Sequence, residues 1–227
     1  MNKSKKNKEN IALFPGMAGL TRDIINRMKA DGADLLSVDI MVTQKCNFRC
    51  IYCYAEGGPQ KTNQLTMEEA KNIIRESADM GVRIINMQGG EPLIWSPADW
   101  NGGRGEAFFH VVGYARELFA EKKLPLDIVS FTDVALINED KARRLAALGM
   151  ALCCKLDSLN AEIQDKLLGV EGGANNIMRG FKHLTDVGYG RKDMPPLSTN
   201  TVVTKLNYEG VADVFRWSRS RHFRPFV

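Results

Sequence analysis

The chain has 227 residues, and its 31 lysine and arginine residues against 27 aspartate and glutamate residues give a net charge of +4. This length suits one α/β domain, while contents of 44% hydrophobic and 26% charged residues exclude a disordered chain, a collagen-like fibre and a coiled coil. No apolar run approaches the roughly 18 residues of a membrane span, and the first ten residues lead into no apolar stretch of the kind that a secretory signal needs. We therefore expect a cytoplasmic protein without a membrane partner.

The chain divides into two regions of different composition. Residues 1–34 are predicted to form a basic tail and extension, with four lysines among the first ten positions. A solvated terminus is the simplest interpretation of that charge, and we expect no nucleic-acid partner. Residues 35–227 are predicted to form one core domain.

Short β-branched segments alternate with longer segments of helical spacing from residue 37 onward. The predicted strands cover residues 37–43, 83–88, 126–132, 151–157 and 197–204. Strands that alternate with helices are typical of a parallel sheet built from βα units. We therefore predict an α/β fold, a partial TIM barrel with about five βα units.

The predicted helices are marked by capping residues and glycines. Thr66 and Glu69 have the spacing of a capping box, and Gly81 ends the helix that they begin. Further helices are predicted at about residues 106–122, after Asn138, before Gly188 and from Asn207 onward.

Two predicted loops, residues 95–105 and 158–173, are longer than a minimal barrel needs. Both follow strands, and the loops after the carboxyl ends of parallel strands form the working face of such folds. A cover over a substrate or cofactor and a surface decoration are both open interpretations of these loops.

Three of the five cysteines lie together directly after the first predicted strand. Cys46, Cys50 and Cys53 have the spacing CxxxCxxC. A structural zinc site needs a fourth cysteine or histidine at comparable range, and none lies nearby in the sequence. Three thiolates suit a 4Fe-4S cluster that keeps one iron open for a non-protein ligand. The adjacent Cys153 and Cys154 must face opposite sides of a strand, and a buried cysteine most often packs as a small hydrophobic residue.

The segment CNFRCIYC after the first strand, followed by GGEP at residues 89–92 after the second, resembles the radical S-adenosylmethionine (radical SAM) superfamily. The resemblance runs from about Leu36 to the C-terminus. It implies a (βα)6-type partial barrel in which Cys46, Cys50 and Cys53 hold a 4Fe-4S cluster. The implied activity is reductive cleavage of S-adenosylmethionine to a 5'-deoxyadenosyl radical, which abstracts hydrogen from a substrate. An electron donor such as flavodoxin or ferredoxin is implied as a partner.

The same resemblance assigns cofactor contacts to four further residues. Tyr52 is expected against the adenine side of S-adenosylmethionine, and Gly89, Gly90 and Glu91 are expected to receive the amino group of its methionine moiety. Paired glycines permit a close approach of the backbone, and a carbonyl with a carboxylate suits an ammonium group.

Later strands carry substitutions and weaker candidates. Lys155 stands where relatives usually have serine, and it is our candidate ligand for the methionine carboxylate, with a lysine directed to solvent as the alternative. Asn200 and Thr204 are candidates for the ribose hydroxyls. Asp133 replaces an asparagine that relatives often have after the third strand. The sequence assigns no catalytic residue that contacts the substrate.

The chain ends at RHFRPFV, where the sixth strand of relatives should begin, so the core domain is expected to be C-terminally incomplete. An exposed edge on the fifth strand would then favour a partner chain that completes the barrel. The expected substrate is a peptide, a sugar or a small metabolite. The alternatives are a non-catalytic iron-sulfur or zinc-binding fragment of a longer enzyme and a folded, inactive remnant.

Overall fold

A computed structural model describes residues 26, 29–30, 32, 35–103 and 105–227. The basic extension predicted for residues 1–34 therefore lies, apart from four positions, outside the described residues. None of the helices in the described ranges combines the length and the apolar character that a crossing of the bilayer requires.

Six strands form one parallel sheet in the order in which they occur in the sequence. Strands β1 to β6 are Ser37–Met41, Ile84–Gln88, Asp127–Thr132, Ala151–Lys155, Leu197–Asn200 and Arg224–Phe226. Parallel neighbours in sequence order require a crossover after every strand, as in the wall of a TIM barrel. The sheet is open between β1 and β6, so the predicted partial barrel is confirmed.

The expectation that the sixth strand is missing was wrong. Arg224–Phe226 pairs in parallel with β5, and the Thr201 amide donates to the Phe226 carbonyl oxygen at 2.9 Å. Because β6 covers β5, the two open edges of the sheet are β1 and β6. The exposed edge of β5, on which the expectation of a completing partner chain rested, does not exist.

Six α-helices connect the strands within the described residues. Helices α1 to α6 are Met67–Asp79, Glu106–Glu121, Glu139–Ala147, Ala161–Leu168, Gly173–Asp186 and Val211–Arg219. The predicted capping box begins α1, because the Thr66 hydroxyl accepts from the Glu69 amide at 3.1 Å and the Glu69 carboxylate accepts from the Thr66 amide at 2.8 Å. Helix α4 lies where the sequence predicted a loop, and the Asn160 side chain caps it by accepting from the Ile163 amide.

The two faces of the sheet have different surroundings. The outer face packs against the helices, and its core residues include Ile40, Ile85, Ile128, Leu152 and Leu197. The alternate residues of each strand face the interior of the barrel, where Ile84, Val129, Ala151 and Cys153 form a small separate cluster. Cys154 belongs to the outer core, so the two adjacent cysteines face opposite sides as predicted.

The described residues of the predicted loop, 95–103 and 105, include two that bond to the helical layer. Trp95 is fully buried in the core between sheet and helices, and its Nε1 donates to the Leu65 carbonyl oxygen at 2.9 Å. The Asp99 carboxylate accepts from the Met67 and Glu68 amides at the start of α1. These bonds fix the loop to the helical layer.

Helix α5 approaches the turn after β3 through a glycine. A Cβ atom at Gly180 would collide with the carbonyl oxygen of Val134. Val134 is itself fully buried and has a φ of 70°, in the left-handed region that β-branched residues avoid. The contact therefore joins a rigid helix to a turn that has little freedom to move.

We predict that Gly180→Ala lowers the free energy of unfolding by about 1–3 kcal/mol, because the added methyl group overpacks a backbone contact. The matched control is Gly113→Ala in α2, where nothing lies within 4 Å of an added Cβ. This control should raise the free energy of unfolding by about 0.5–1 kcal/mol through helix propensity alone. Urea unfolding followed by circular dichroism measures both, and equal stabilisation would contradict the close contact.

Candidate active site

The loop that carries Cys46, Cys50 and Cys53, called the cysteine loop, follows β1. It lies at the mouth of the barrel, which is the end formed by the carboxyl ends of the strands, and helix α4 holds it in place. The Arg49 amide donates to the Leu168 carbonyl oxygen at 2.9 Å, and the Ile51 amide donates to the Leu167 carbonyl oxygen at 3.1 Å. The last carbonyl groups of a helix lack partners within the helix. The end of α4, which the sequence did not predict, therefore positions the loop that carries the cysteines.

Backbone amides are directed at two of the three sulfur atoms. The Phe48 amide donates to Cys46 Sγ at 3.5 Å, and the Gly57 amide donates to Cys53 Sγ at 3.3 Å. Such bonds favour a thiolate, whereas burial raises the pKa of Cys50 to about 11 and that of Cys46 further, with the charge of Asp133 adding to the effect at Cys46. Bound iron would displace these protons, because metal ligands must be deprotonated.

The cysteine loop and the glycine pair touch backbone to backbone. The Gly90 amide donates to the Thr43 carbonyl oxygen at 2.6 Å, and the Glu91 amide donates to the Lys45 carbonyl oxygen at 2.9 Å. A Cβ atom at Gly90 would collide with that Lys45 carbonyl oxygen, and one at Gly57 would lie 3.2 Å from the Gly90 Cα. Only residues without side chains permit this approach.

The chemistry of the donor set fits the cluster that the resemblance implies. Within residues 35–103 and 105–227, no three cysteine, histidine, aspartate or glutamate side chains are grouped closely enough to hold a single metal ion. A 4Fe-4S cluster does not need that grouping, because each cysteine binds a different iron atom. Three thiols on one loop, with glycines on the side that faces them, suit a cluster with one open iron.

Glu91 is fully buried, and its carboxylate is directed at the end of β3. It accepts from the Leu93 amide at 2.9 Å, from the Asp133 amide at 2.8 Å and from the Thr132 hydroxyl at 3.0 Å. Burial raises its pKa despite these bonds. The carboxylate therefore joins the glycine turn to β3.

Asp133 is a site residue that the sequence presented only as a departure from relatives. It is buried, its Oδ1 accepts from the Ala135 amide at 3.0 Å, and its Oδ2 lies 4.0 Å from Cys46 Sγ. Burial raises its pKa well above the usual value of 3.8, and repulsion from Glu91 adds to the shift. The acidic residue at an asparagine position was the signal that could have placed it beside the cysteine loop.

Tyr52, Lys155 and Asp157 form one hydrogen-bonded group across the mouth. The Tyr52 hydroxyl donates to Asp157 Oδ2 and accepts from Lys155 Nζ, which lies 2.8 Å from the same carboxylate oxygen and 4.3 Å from the centre of the Tyr52 ring. The Asp157 side chain is fully buried, and its other oxygen accepts from the Val202 amide at 2.9 Å. Lys155 is therefore not directed to solvent, its side chain being only 17% exposed.

The two ribose candidates differ in position. Asn200 ends β5 beside Lys155 in the strand register and is half-buried. Thr204 lies beyond β5, which ends at residue 200 instead of the predicted 204. The Thr204 hydroxyl bonds to Asn207 Oδ1 at 3.0 Å and accepts from the Leu206 amide at 3.1 Å, so it is already used within a turn.

Residues 40–218 match the family model described as the Radical SAM superfamily. The chain belongs to this superfamily. The matched range contains the cysteine loop, the glycine pair and the Tyr52, Lys155 and Asp157 group. The cofactors of radical SAM proteins are a 4Fe-4S cluster and S-adenosylmethionine.

Two curated relatives illustrate the range of the similarity. A probable GTP 3',8-cyclase from Methanocaldococcus jannaschii is 26% identical over 190 residues, which are 83% of this chain and 56% of that protein. An AdoMet-dependent heme synthase from Nitratidesulfovibrio vulgaris is 29% identical over 177 residues, which are 77% of this chain and 42% of that protein. The radical SAM chain described here thus spans about half the length of the curated relatives that it matches.

Solved structures confirm the fold. Native anSMEcpe with bound AdoMet aligns with a TM-score of 0.66 and 18% identity over 85% of this chain and 52% of that chain. Streptococcus suis SuiB bound to its precursor peptide SuiA aligns with a TM-score of 0.63 and 18% identity over 88% of this chain and 40% of that chain. The open six-stranded barrel is therefore a fold that this chain shares with both solved structures.

We predict that Asp133→Asn removes a contribution that lowers the free energy of unfolding as pH rises, so the slope of this free energy against pH becomes more positive than in the wild type. A carboxyl with a raised pKa in the folded state destabilises the protein as pH rises above its ordinary pKa of 3.8, because the unfolded state loses the proton first. Asparagine still accepts from the Ala135 amide and does not ionise. Urea unfolding of the cluster-free protein between about pH 4 and pH 8 measures the slope. The exposed Glu121→Gln is the control, and equal slopes for Asp133→Asn and wild type would contradict the prediction.

Proposed function

We propose that this chain holds a 4Fe-4S cluster through Cys46, Cys50 and Cys53 and uses it to cleave S-adenosylmethionine reductively. The observation that carries the proposal is the backbone contact between the cysteine loop and Gly90, because it joins the cluster ligands to the turn expected to bind the cofactor. When held by these three cysteines and reduced, the cluster would supply the electron for reductive cleavage of the C5'–S bond, and the 5'-deoxyadenosyl group would supply the radical for hydrogen abstraction from the substrate. The protein binds the cluster and S-adenosylmethionine, orients them and excludes water from the site.

Different residues around the mouth are proposed to bind different parts of S-adenosylmethionine. The backbone carbonyls of Gly89 and Gly90 suit the amino group, since the Glu91 carboxylate is occupied by β3. Lys155 suits the methionine carboxylate, and the buried Asp157 keeps its ammonium group in place at 2.8 Å until the cofactor arrives. Tyr52 is proposed for the adenine side and Asn200 for the ribose. Thr204 would have to leave its turn to contribute.

The substrate and partners are proposed more broadly. The curated relatives are named for GTP and for heme, and the SuiB structure holds a precursor peptide. One fold hosts many substrates, so the substrate is a peptide, a sugar or a small metabolite. We expect a flavodoxin or ferredoxin as the electron donor and the cytoplasm as the compartment.

We predict that the anaerobically reconstituted wild-type protein forms 5'-deoxyadenosine from S-adenosylmethionine and a strong reductant. Cys50→Ala should lower the yield at least about 100-fold, because the cluster loses one of its three ligands. The matched control is Cys154→Ala, a buried cysteine on the outer face of the sheet, and it should retain the activity. Chromatography of the nucleoside, with iron and sulfide analysis of each protein, measures the outcome.

Two results of this experiment would overturn the proposal. Zinc in place of iron and sulfide would indicate a non-catalytic metal-binding fragment. A full complement of iron and sulfide without any nucleoside would indicate an inactive iron-sulfur protein.

We predict that Lys155→Met raises the Kd for S-adenosylmethionine about tenfold, or about 1.4 kcal/mol, because the methionine carboxylate loses its cation. Equilibrium dialysis against the oxidised, cluster-loaded protein measures binding without turnover. The exposed Lys166→Met in α4 is the charge-matched control, and Lys155→Arg should restore part of the affinity. Unchanged affinity in Lys155→Met would exclude Lys155 as the carboxylate ligand.

A further inference from the structure

The interior of the barrel has a polar wall formed by β1 and β2. Asp39 pairs with Asn86 in the strand register, and Gln88 lies one inner-facing position closer to the mouth. Their chain neighbours Ile40, Ile85 and Met87 pack in the outer core, so these polar side chains face the interior. We call Asp39, Asn86 and Gln88 the acceptor wall.

One hydrogen bond within the acceptor wall orients the Asn86 amide and leaves its carbonyl oxygen without a donor. Asn86 Nδ2 donates to Asp39 Oδ1 at 2.6 Å, and this bond fixes the orientation of the amide because a carboxylate can only accept. Asn86 Oδ1 is consequently buried without a hydrogen-bond partner. The Asp39 side chain remains exposed, and Gln88 Oε1 accepts from the Tyr54 hydroxyl at 3.2 Å.

The surface beside the acceptor wall is apolar. Val129 and Phe131 of β3 belong to the small interior cluster, together with Cys153 of β4. Lys155, at the mouth, is already paired with Asp157. A ligand in the interior would thus meet the half-buried ring of Phe131 on one side, and the Asp39 carboxylate with the unpaired carbonyl oxygen of Asn86 on the other.

We infer that Asp39 and Asn86 form a substrate subsite for an N–H donor, which is an ammonium, guanidinium or amide group attached to an apolar portion that packs on Phe131. A buried acceptor without a partner is uncommon in native proteins, and a donor from a substrate would satisfy it. The Asp39 charge repels a phosphate or carboxylate at the same place. The inference rests on the proposed function, because it takes the barrel interior as the substrate site, and it narrows the substrate class.

Three small probes of equal chain length test this subsite by NMR on the full chain, with the cluster and S-adenosylmethionine bound but without reductant, and again without them. We expect n-butylammonium and butyramide to shift the Asn86 side-chain amide signals saturably, and butyrate to leave them unchanged. Asp39→Asn should weaken n-butylammonium binding at least about tenfold, because the charge is lost while the bond to Asn86 can persist. The exposed Glu121→Gln, with the same change of charge, should bind as wild type does.

Each outcome separates the inference from its alternatives. Tighter binding of n-butylammonium supports an amine substrate, and equal binding of butyramide supports an amide. Equal binding of butyrate, the absence of a saturable shift at Asn86, or wild-type affinity in Asp39→Asn would overturn the inference. Formation of 5'-deoxyadenosine without probe binding would refute this subsite alone, and probe binding without the nucleoside would refute the proposed activity alone.

Discussion

The site depends on one steric constraint, the backbone contact between the cysteine loop and the turn after β2. Gly90 lies against the Lys45 carbonyl oxygen so closely that no Cβ fits, and Gly57 closes the contact from the other side. Two amide-to-carbonyl bonds, from Gly90 to Thr43 and from Glu91 to Lys45, fix its register. Because the cysteines and the glycine turn form one unit, a cluster and a cofactor held by them would be fixed in position relative to each other.

Two buried carboxyl groups connect this unit to the remainder of the barrel. Glu91 joins the glycine turn to Thr132 and Asp133 at the end of β3. Asp157 joins β4 to the cysteine loop through Tyr52 and to the segment after β5 through Val202. Buried carboxylates are tolerated only where hydrogen bonds or cations compensate for lost hydration. Their positions show that the working end of the sheet is held together by polar bonds, whereas the helical side is held by apolar packing.

Local signals in the sequence predicted most of the helices and strands. Two errors, at β6 and at the end of β5, come from a strand too short for a pattern and from a long-range contact. The capping box of Thr66 and Glu69 and the β-branched strands act over a few residues, so α1 and the first five strands could be located. Strand β6 has three residues, one of them proline, which is too short for a periodic pattern. The TVVT segment favours a strand, but Asp157 takes the Val202 amide and ends β5 at Asn200.

In the candidate site, too, the features carried by one short segment could be predicted and the long-range contacts could not. The cysteine spacing and the glycine pair could be recognised because each lies within one short segment. The bonds of Tyr52 to Lys155 and Asp157 join residues 103 and 105 positions apart, and spacing carries no information about such contacts. The acceptor wall likewise depends on the strand register, which places Asp39 beside Asn86, 47 positions later in the sequence.

The bonds from Arg49 and Ile51 to the end of α4 set an order of assembly during synthesis. The cysteine segment leaves the ribosome more than a hundred residues before Leu167 and Leu168, whose carbonyl groups hold it. Until they emerge, the nascent chain carries three thiols on a loop that lacks the two bonds from α4. Delivery of a preformed cluster before that point would meet an incompletely fixed ligand set, so we expect maturation of this protein after translation of β4 and α4.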